Sequence, residues 1–237
     1  MSAADADPRF RATVDRLLQG QAYRELGAAR LFEHGAALAP DAHQRARFAA
    51  HANEERAHHR AVIDVWARFA AAPAAVVEAR AEDRLARLPL PPARSWFALA
   101  MAQFLFDRAG LWQLREYAAC SFAPYRALVA DILADERDHQ DSGAEAIVAL
   151  CAAGHHESEK DAVFTRWLAV ALRSFGRPGS DGDGYAVTVG LKRRSAAAVM
   201  GDFVADILPT VRRAGLVFPA PHTLNVILPV EFGAALF

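Results

Sequence analysis

The sequence predicts an all-α protein built on a four-helix bundle. Two observations predict it. Alanine, the strongest helix former, is abundant throughout, and β-branched residues are sparse over the first two-thirds of the chain. Helix breakers then leave four long uninterrupted segments, each more than twice the average helix length of about 11–12 residues.

The first segment runs roughly from Asp7 to Leu38 and stops ahead of Pro40. The second runs roughly from Asp41, a good N-cap, to Ala71. The third begins at Ser95, another N-cap, and ends near Cys120. The fourth begins near Pro124, where proline suits a first helical turn, and ends near Gly154. Short turns join helices one and two, and three and four, so each pair is an antiparallel hairpin. Residues Ala72 to Arg94, which include the Pro-rich stretch Leu88 to Pro92, separate the hairpins. At up to ~3.3 Å per residue this link can run the length of a helix of roughly 45 Å. Two hairpins joined by one long crossover is the ferritin-like topology.

Beyond the bundle, Glu157 to Phe175 is amphipathic, and glycines 176, 179, 182 and 184 with Pro178 mark a loop. Tyr185 to Val189 is strand-like, or equally an extended loop. A further helical segment runs from about Arg193 to Ala214, interrupted at Pro209. The tail from Pro219 to Phe237 is apolar and must bury itself on the bundle, on a partner chain such as a second copy or another subunit, or in a lattice contact. The expected organisation is a bundle over residues 1–154 and a C-terminal helical extension with its tail, packed on the bundle, over residues 155–237.

Composition narrows the function classes. Hydrophobic residues make up 53% and charged residues 23% of 237, a globular balance. A net charge of −1 supplies no overall basic bias toward nucleic acid or an anionic membrane. Cys120 and Cys151 are not in a Cys-x-x-Cys spacing, so zinc and thioredoxin-type chemistry are not indicated, and two reduced thiols are expected. The N-terminal stretch lacks an apolar core, and no apolar run reaches the ~20 residues that span a bilayer. A soluble, cytoplasmic protein is expected.

Two motifs carry chemistry. Glu55-Arg56-Ala57-His58 and Glu136-Arg137-Asp138-His139 are both Glu-x-x-His. On a helix, residues i and i+3 share a face, so each motif aims a carboxylate and an imidazole at one point. Such oxygen and nitrogen donors suit iron, with manganese as the alternative. A di-metal site needs a further carboxylate from each of the other two helices, and hairpin register selects them. Glu55 lies fifteen positions after Pro40, and fifteen positions before Pro40 is Glu25. Counting back from the second turn by the distance to Glu136 gives Asp107 or its neighbour Phe106. Both levels lie about 22 Å from their turns at 1.5 Å per residue, in the middle of the bundle.

Other acids fall at other levels. Glu33 pairs in level with Arg47, which predicts an interhelical ion pair near the turn. Glu116 is expected to be structural, and Asp135 or Asp138 to hydrogen-bond a histidine ligand. His155-His156 is expected in a solvated loop.

Phe106 to Gly110, then Cys120 to Tyr125, then Asp135 to Gln140 resemble the catalytic subunit family of phenylacetyl-CoA epoxidase. Arg166 to Leu168, Phe175 to Pro178, Leu191 to Ser195, Ile207 to Pro209 and Ala214 to Leu216 resemble that family's C-terminal region. The resemblance implies a non-haem di-iron monooxygenase that takes two iron ions, O₂ as co-substrate and electrons from a reductase or other electron-transfer protein. It implies Glu25, Glu55, His58, Asp107, Glu136 and His139 as iron ligands, with Asp107 close to the chemistry. His51 stands where the family has a Lys and is the implied catalytic proton carrier. Glu54-Glu55 replaces the family's Asp-Glu, and Ala57-His58 its Gly-His. Lys192 and Arg193, with Arg194, offer cations to CoA phosphates.

The expected function is therefore oxygenation of a small organic substrate, aromatic or linked to CoA or a carrier, by hydroxylation or epoxidation. The chain has no Gly-x-Gly-x-x-Gly after a strand to hold its own nucleotide reductant. The alternatives are an iron-handling, ferritin-like ferroxidase and a tRNA-modifying di-iron hydroxylase. The first predicts a large oligomer, and the second a basic surface.

Overall fold

A computed structural model describes residues 7–87 and 93–229, apart from the side chains of 136–141. Ten α-helices and one π-helical turn form the described chain, and no strand occurs among the described residues. The fold is the expected all-α, ferritin-like one.

Helix α1 (Pro8–Leu38) is capped by Asp7, whose carboxylate accepts from the Arg9 amide at 2.9 Å. Helix α2 (Ala42–Ala70) is capped by Asp41, which accepts from the Gln44 amide at 2.8 Å. The two lie side by side through most of their length. Gly35 makes the close approach possible. A methyl group there would collide with the Phe48 ring and the Leu99 side chain. Phe48 in turn stacks edge-on against Phe32, with centroids 5.4 Å apart.

The crossover is more ordered than a spacer. It contains α3 (Ala74–Ala86), which packs on α1 and α2 through the buried stripe Val77, Ala81 and Leu85. Those residues recur at i, i+4 and i+8 in an Ala-, Glu- and Arg-rich stretch, so propensity and amphipathicity agree. The Pro-rich residues 88–92 lie outside the described residues.

The third bundle helix is one continuous run of three pieces: α4 (Trp96–Ala102), a π-helical turn at Gln103–Asp107, and α5 (Arg108–Tyr117). Ser95 caps it, accepting from the Ala98 amide at 3.2 Å. Helix α6 (Ala123–Ala152) returns antiparallel to it, with Pro124 in its first turn.

C-terminal to the bundle, α7 (Lys160–Ser174) packs against α4 and the π turn, and α9 (Ala196–Arg213) packs against α5. The strand-like residues Tyr185 to Val189 are helical instead, within and just after α8 (Asp181–Thr188). Ser180 caps this helix, Asp181 and Asp183 occupy its first turn, and the Tyr185 hydroxyl donates to Asp7 at 2.7 Å. Pro209 does not interrupt α9. The buried face of Val199, Met200, Phe203, Val204, Ile207 and Val211 outweighs the one hydrogen bond that proline removes. A short α10 (Pro221–Leu224) follows, with Leu224 buried and Val226 and Leu228 against the core. The apolar tail from residue 230 lies outside the described residues. Cys120 and Cys151 are free and buried.

His156 is not merely solvated. Its ring stacks on Phe97 at 4.2 Å, and its Nδ1 meets Glu159 at 2.9 Å. Glu33 binds Arg56 rather than Arg47, because the long guanidinium reaches across more than one turn of the α1–α2 seam.

Gly35→Ala is expected to lower stability by about 1–2 kcal/mol, the overpacking cost exceeding the ~1 kcal/mol gain in helix propensity. Gly20→Ala, where a methyl group meets nothing within 4 Å, is expected to raise stability by about 0.5–1 kcal/mol. Urea denaturation of the two variants checks both signs.

Candidate metal centre

The first three bundle helices pass from one apolar cluster to another close to buried acids. On α1, Val14, Leu18 and Ala22 belong to one apolar cluster, and Ala28 and Phe32 to another, with Glu25 between. On α2 the change of cluster falls between Ala52 and Val62, a gap that holds Glu55 and His58. On the third helix it falls between Ala109 and Leu114, one turn past Asp107. On α6, Ile132 belongs to one cluster and Ile147 to the other.

Glu25, Glu55 and His58 are brought together. They are 4%, 2% and 7% exposed, and each offers one ligand atom within 4.8 Å of the others. His58 Nδ1 lies 3.9 Å from Glu25 Oε2 and 3.8 Å from Glu55 Oε2. Metal–ligand bonds of about 2 Å put two donors of one ion up to about 4 Å apart, so the set fits a single cation. His58 Nε2 meets Asp135 of α6 at 3.0 Å. That contact directs Nδ1 at the carboxylates and fixes the tautomer, since Nε2–H donates to Asp135.

Asp107 is buried at the end of the π turn and lines the same small cavity as Glu25 and Glu55. The π turn inserts an extra residue into the helix there, a feature that recurs at functional sites. Glu136 and His139 belong to α6, but their side chains lie outside the described residues.

His51 sits one turn before Glu55 and is buried against the Phe32 ring at 5.3 Å. Its Nδ1 meets Glu54 at 3.3 Å. Lys192 is engaged by Asp183, and Arg193 lies 3.7 Å from Glu116. Glu116 also binds Arg194 at 2.7 Å and so ties α5 to the start of α9. These cations are matched by carboxylates of the same chain.

A polar network at the rim escaped the sequence. Gln21, one turn before Glu25, donates to the Glu25 carboxylate. The Gln21 carbonyl accepts from the Tyr125 hydroxyl at 2.8 Å and from Arg24 at 2.8 Å. Two donors on its oxygen leave only the amide nitrogen for Glu25. Burial holds the Tyr125 hydroxyl well above its usual titration range, so it stays a donor. Arg24 continues to Gln113, which donates to Ser174 of α7 at 2.8 Å. The i−4 spacing of Gln21 from Glu25 was the available signal.

Gly143 of α6 faces the π turn. A methyl group there would lie 3.0 Å from the Phe104 nitrogen and 3.1 Å from its Cα. Gln103 also donates to Ser142 at 3.2 Å. Backbone meets backbone at this point, which sets how closely α6 approaches the turn that carries Asp107.

Fold and site together define a helical-bundle protein with a buried carboxylate–histidine cluster suited to a metal. A family model described as phenylacetic acid catabolic protein matches residues 11–226, and the chain belongs to that family. No match is found among curated proteins. The family implies an oxygenase-type component of phenylacetate catabolism. Among the described residues, no helix is long and apolar enough to cross a membrane.

Gly143→Ala is expected to weaken metal binding roughly tenfold by moving α6 off the π turn. Gly201→Ala on α9, where a methyl group meets nothing within 4 Å, leaves it unchanged. Titration with Co(II), followed by its visible absorption, compares the two.

Proposed function

We propose that this protein is a non-haem di-iron oxygenase that hydroxylates or epoxidises a small aromatic or acyl-linked substrate. The observation that carries the proposal is the buried Glu25–Glu55–His58 cluster, with His58 oriented by Asp135. Family membership supports the same reading.

In this reading Glu25, Glu55 and His58 hold one iron with Asp107, and Glu136 and His139 complete the pair. Iron supplies the redox chemistry that activates O₂, with electrons from an external donor. The chain supplies the enclosure. Gln21 holds the Glu25 carboxylate in place, so it does not swing into solvent. Asp135 accepts from His58 Nε2–H, which turns Nδ1 toward the metal position. Apolar clusters on both sides exclude water from the reacting region. His51, walled by Phe32 and Phe48, is placed to carry a proton on the same helix face as Glu55.

The protein is expected to bind two irons per chain. With a chemical or protein reductant and O₂, it is expected to convert an aromatic acyl compound to an oxygenated product. Glu55→Ala is expected to lose iron and reduce turnover at least 100-fold. Full iron loading with no oxygenated product from any reductant and substrate pair contradicts the oxygenase assignment.

A further inference from the structure

Besides Glu25, Glu55 and Asp107, the carboxylate cavity is lined by Arg24, Gln113 and Ser174. These three belong to α1, α5 and α7 and form one hydrogen-bonded chain. The Gln113 carbonyl accepts from Arg24, and its amide donates to Ser174 at 2.8 Å. Gln113 also lines a second cavity, between α5 and the start of α9, with Glu116, Tyr117 and Lys192. The first cavity measures about 30 Å³ and the second about 20 Å³. On this measure about 10–15 Å³ holds one water, provided that polar partners surround it. Both cavities meet that condition.

Glu116 points to water in the second cavity. It is 2% exposed, and its Oε1 accepts from Arg194 at 2.7 and 3.0 Å. Its Oε2 is also buried and has no hydrogen-bond partner among the described residues. A buried carboxylate oxygen needs a donor, and a water in the cavity that Glu116 lines is placed to be one. Tyr117 and Lys192 at the same cavity are half-buried, so it reaches toward solvent. The amide hydrogens of Gln113 go to Ser174 and to the Ala109 carbonyl, and its oxygen has a second lone pair for water beside the one that Arg24 takes.

We propose that Gln113 gates a water-filled polar route from the carboxylate cavity to the surface between α5 and α9, by which protons enter the buried site and product water leaves it. The need follows from the oxygenase reading, on which the proposal rests for its purpose. Adding one atom of O₂ to an organic substrate takes two electrons and two protons, and the other atom leaves as water. The electrons come from the external donor. The protons come from bulk water, and apolar clusters lie on both sides of the buried acids. Gln113 touches neither metal nor substrate in this account. It is a positioning residue that keeps the waters of two small cavities in one file.

The test uses the full chain loaded with Mn(II) and reads the exchange of bulk water with the bound ion by water-proton NMR relaxation. Gln113→Leu, which keeps the volume and removes the amide, is expected to slow exchange roughly threefold or more. Gln113→Ala, which joins the two cavities, is expected to speed it. Ala196→Leu fills the outer cavity from α9, a helix that carries no proposed ligand, and is expected to slow exchange as Gln113→Leu does. The variants are compared at equal Mn(II) occupancy, with thermal transitions as the check on folding. A structural role for Gln113 moves both of its variants in the same direction, and that result overturns the proposal, as does exchange that Ala196→Leu leaves unchanged. The two readings fail separately. A chain that takes up neither Mn(II) nor Fe(II) sinks the metal-centre reading, whereas full uptake with water exchange indifferent to these substitutions sinks the route alone.

Discussion

The structure depends on one costly arrangement: carboxylates buried in the middle of an apolar bundle. An ionised carboxylate removed from water costs several kcal/mol even after local relaxation. Glu25, Glu55 and Asp107 are all almost fully buried and share one cavity. A cation bound among them would offset that cost. The two apolar clusters on either side then have a second role besides stability, because they make the layer dry.

Around that layer the chain spends its polar residues on direction rather than charge. Asp135 faces the outer nitrogen of His58, so the inner nitrogen points at the carboxylates. Gln21 is fixed by Tyr125 and Arg24, so its amide N–H points at Glu25. Each device uses a residue of known tautomer or forced rotamer, which is how a site keeps its geometry between turnovers. The π turn does the same for Asp107 through the backbone, and Gly143 lets α6 close upon it.

Much of this was legible in the sequence, because helices are local. The caps Asp7, Asp41 and Ser95, the proline near the start of the fourth helix and the short turns define the hairpins, and the structure places helix ends there. Equal distance from a turn then brings Glu25 level with Glu55 and His58, a matter of rise per residue alone. What was not legible is what depends on packing. The crossover forms α3 because α1 and α2 offer Val77, Ala81 and Leu85 a surface, and breakers on either side conceal that. Tyr185 to Val189 has β-branched residues, yet the Ser180 cap and the contact with Asp7 make it helical. The π turn has no sequence signature. Gln21 resembles any surface glutamine until Tyr125, 104 positions away, arrives beside it.

Anomalous diffraction at the iron edge from crystals of the Fe(II)-loaded protein tests the central claim most directly. A peak bounded by Glu25, Glu55 and His58 Nδ1, at about 2.0–2.2 Å from each donor, is the expected result. Iron bound to the protein with no peak between those three side chains would contradict the account.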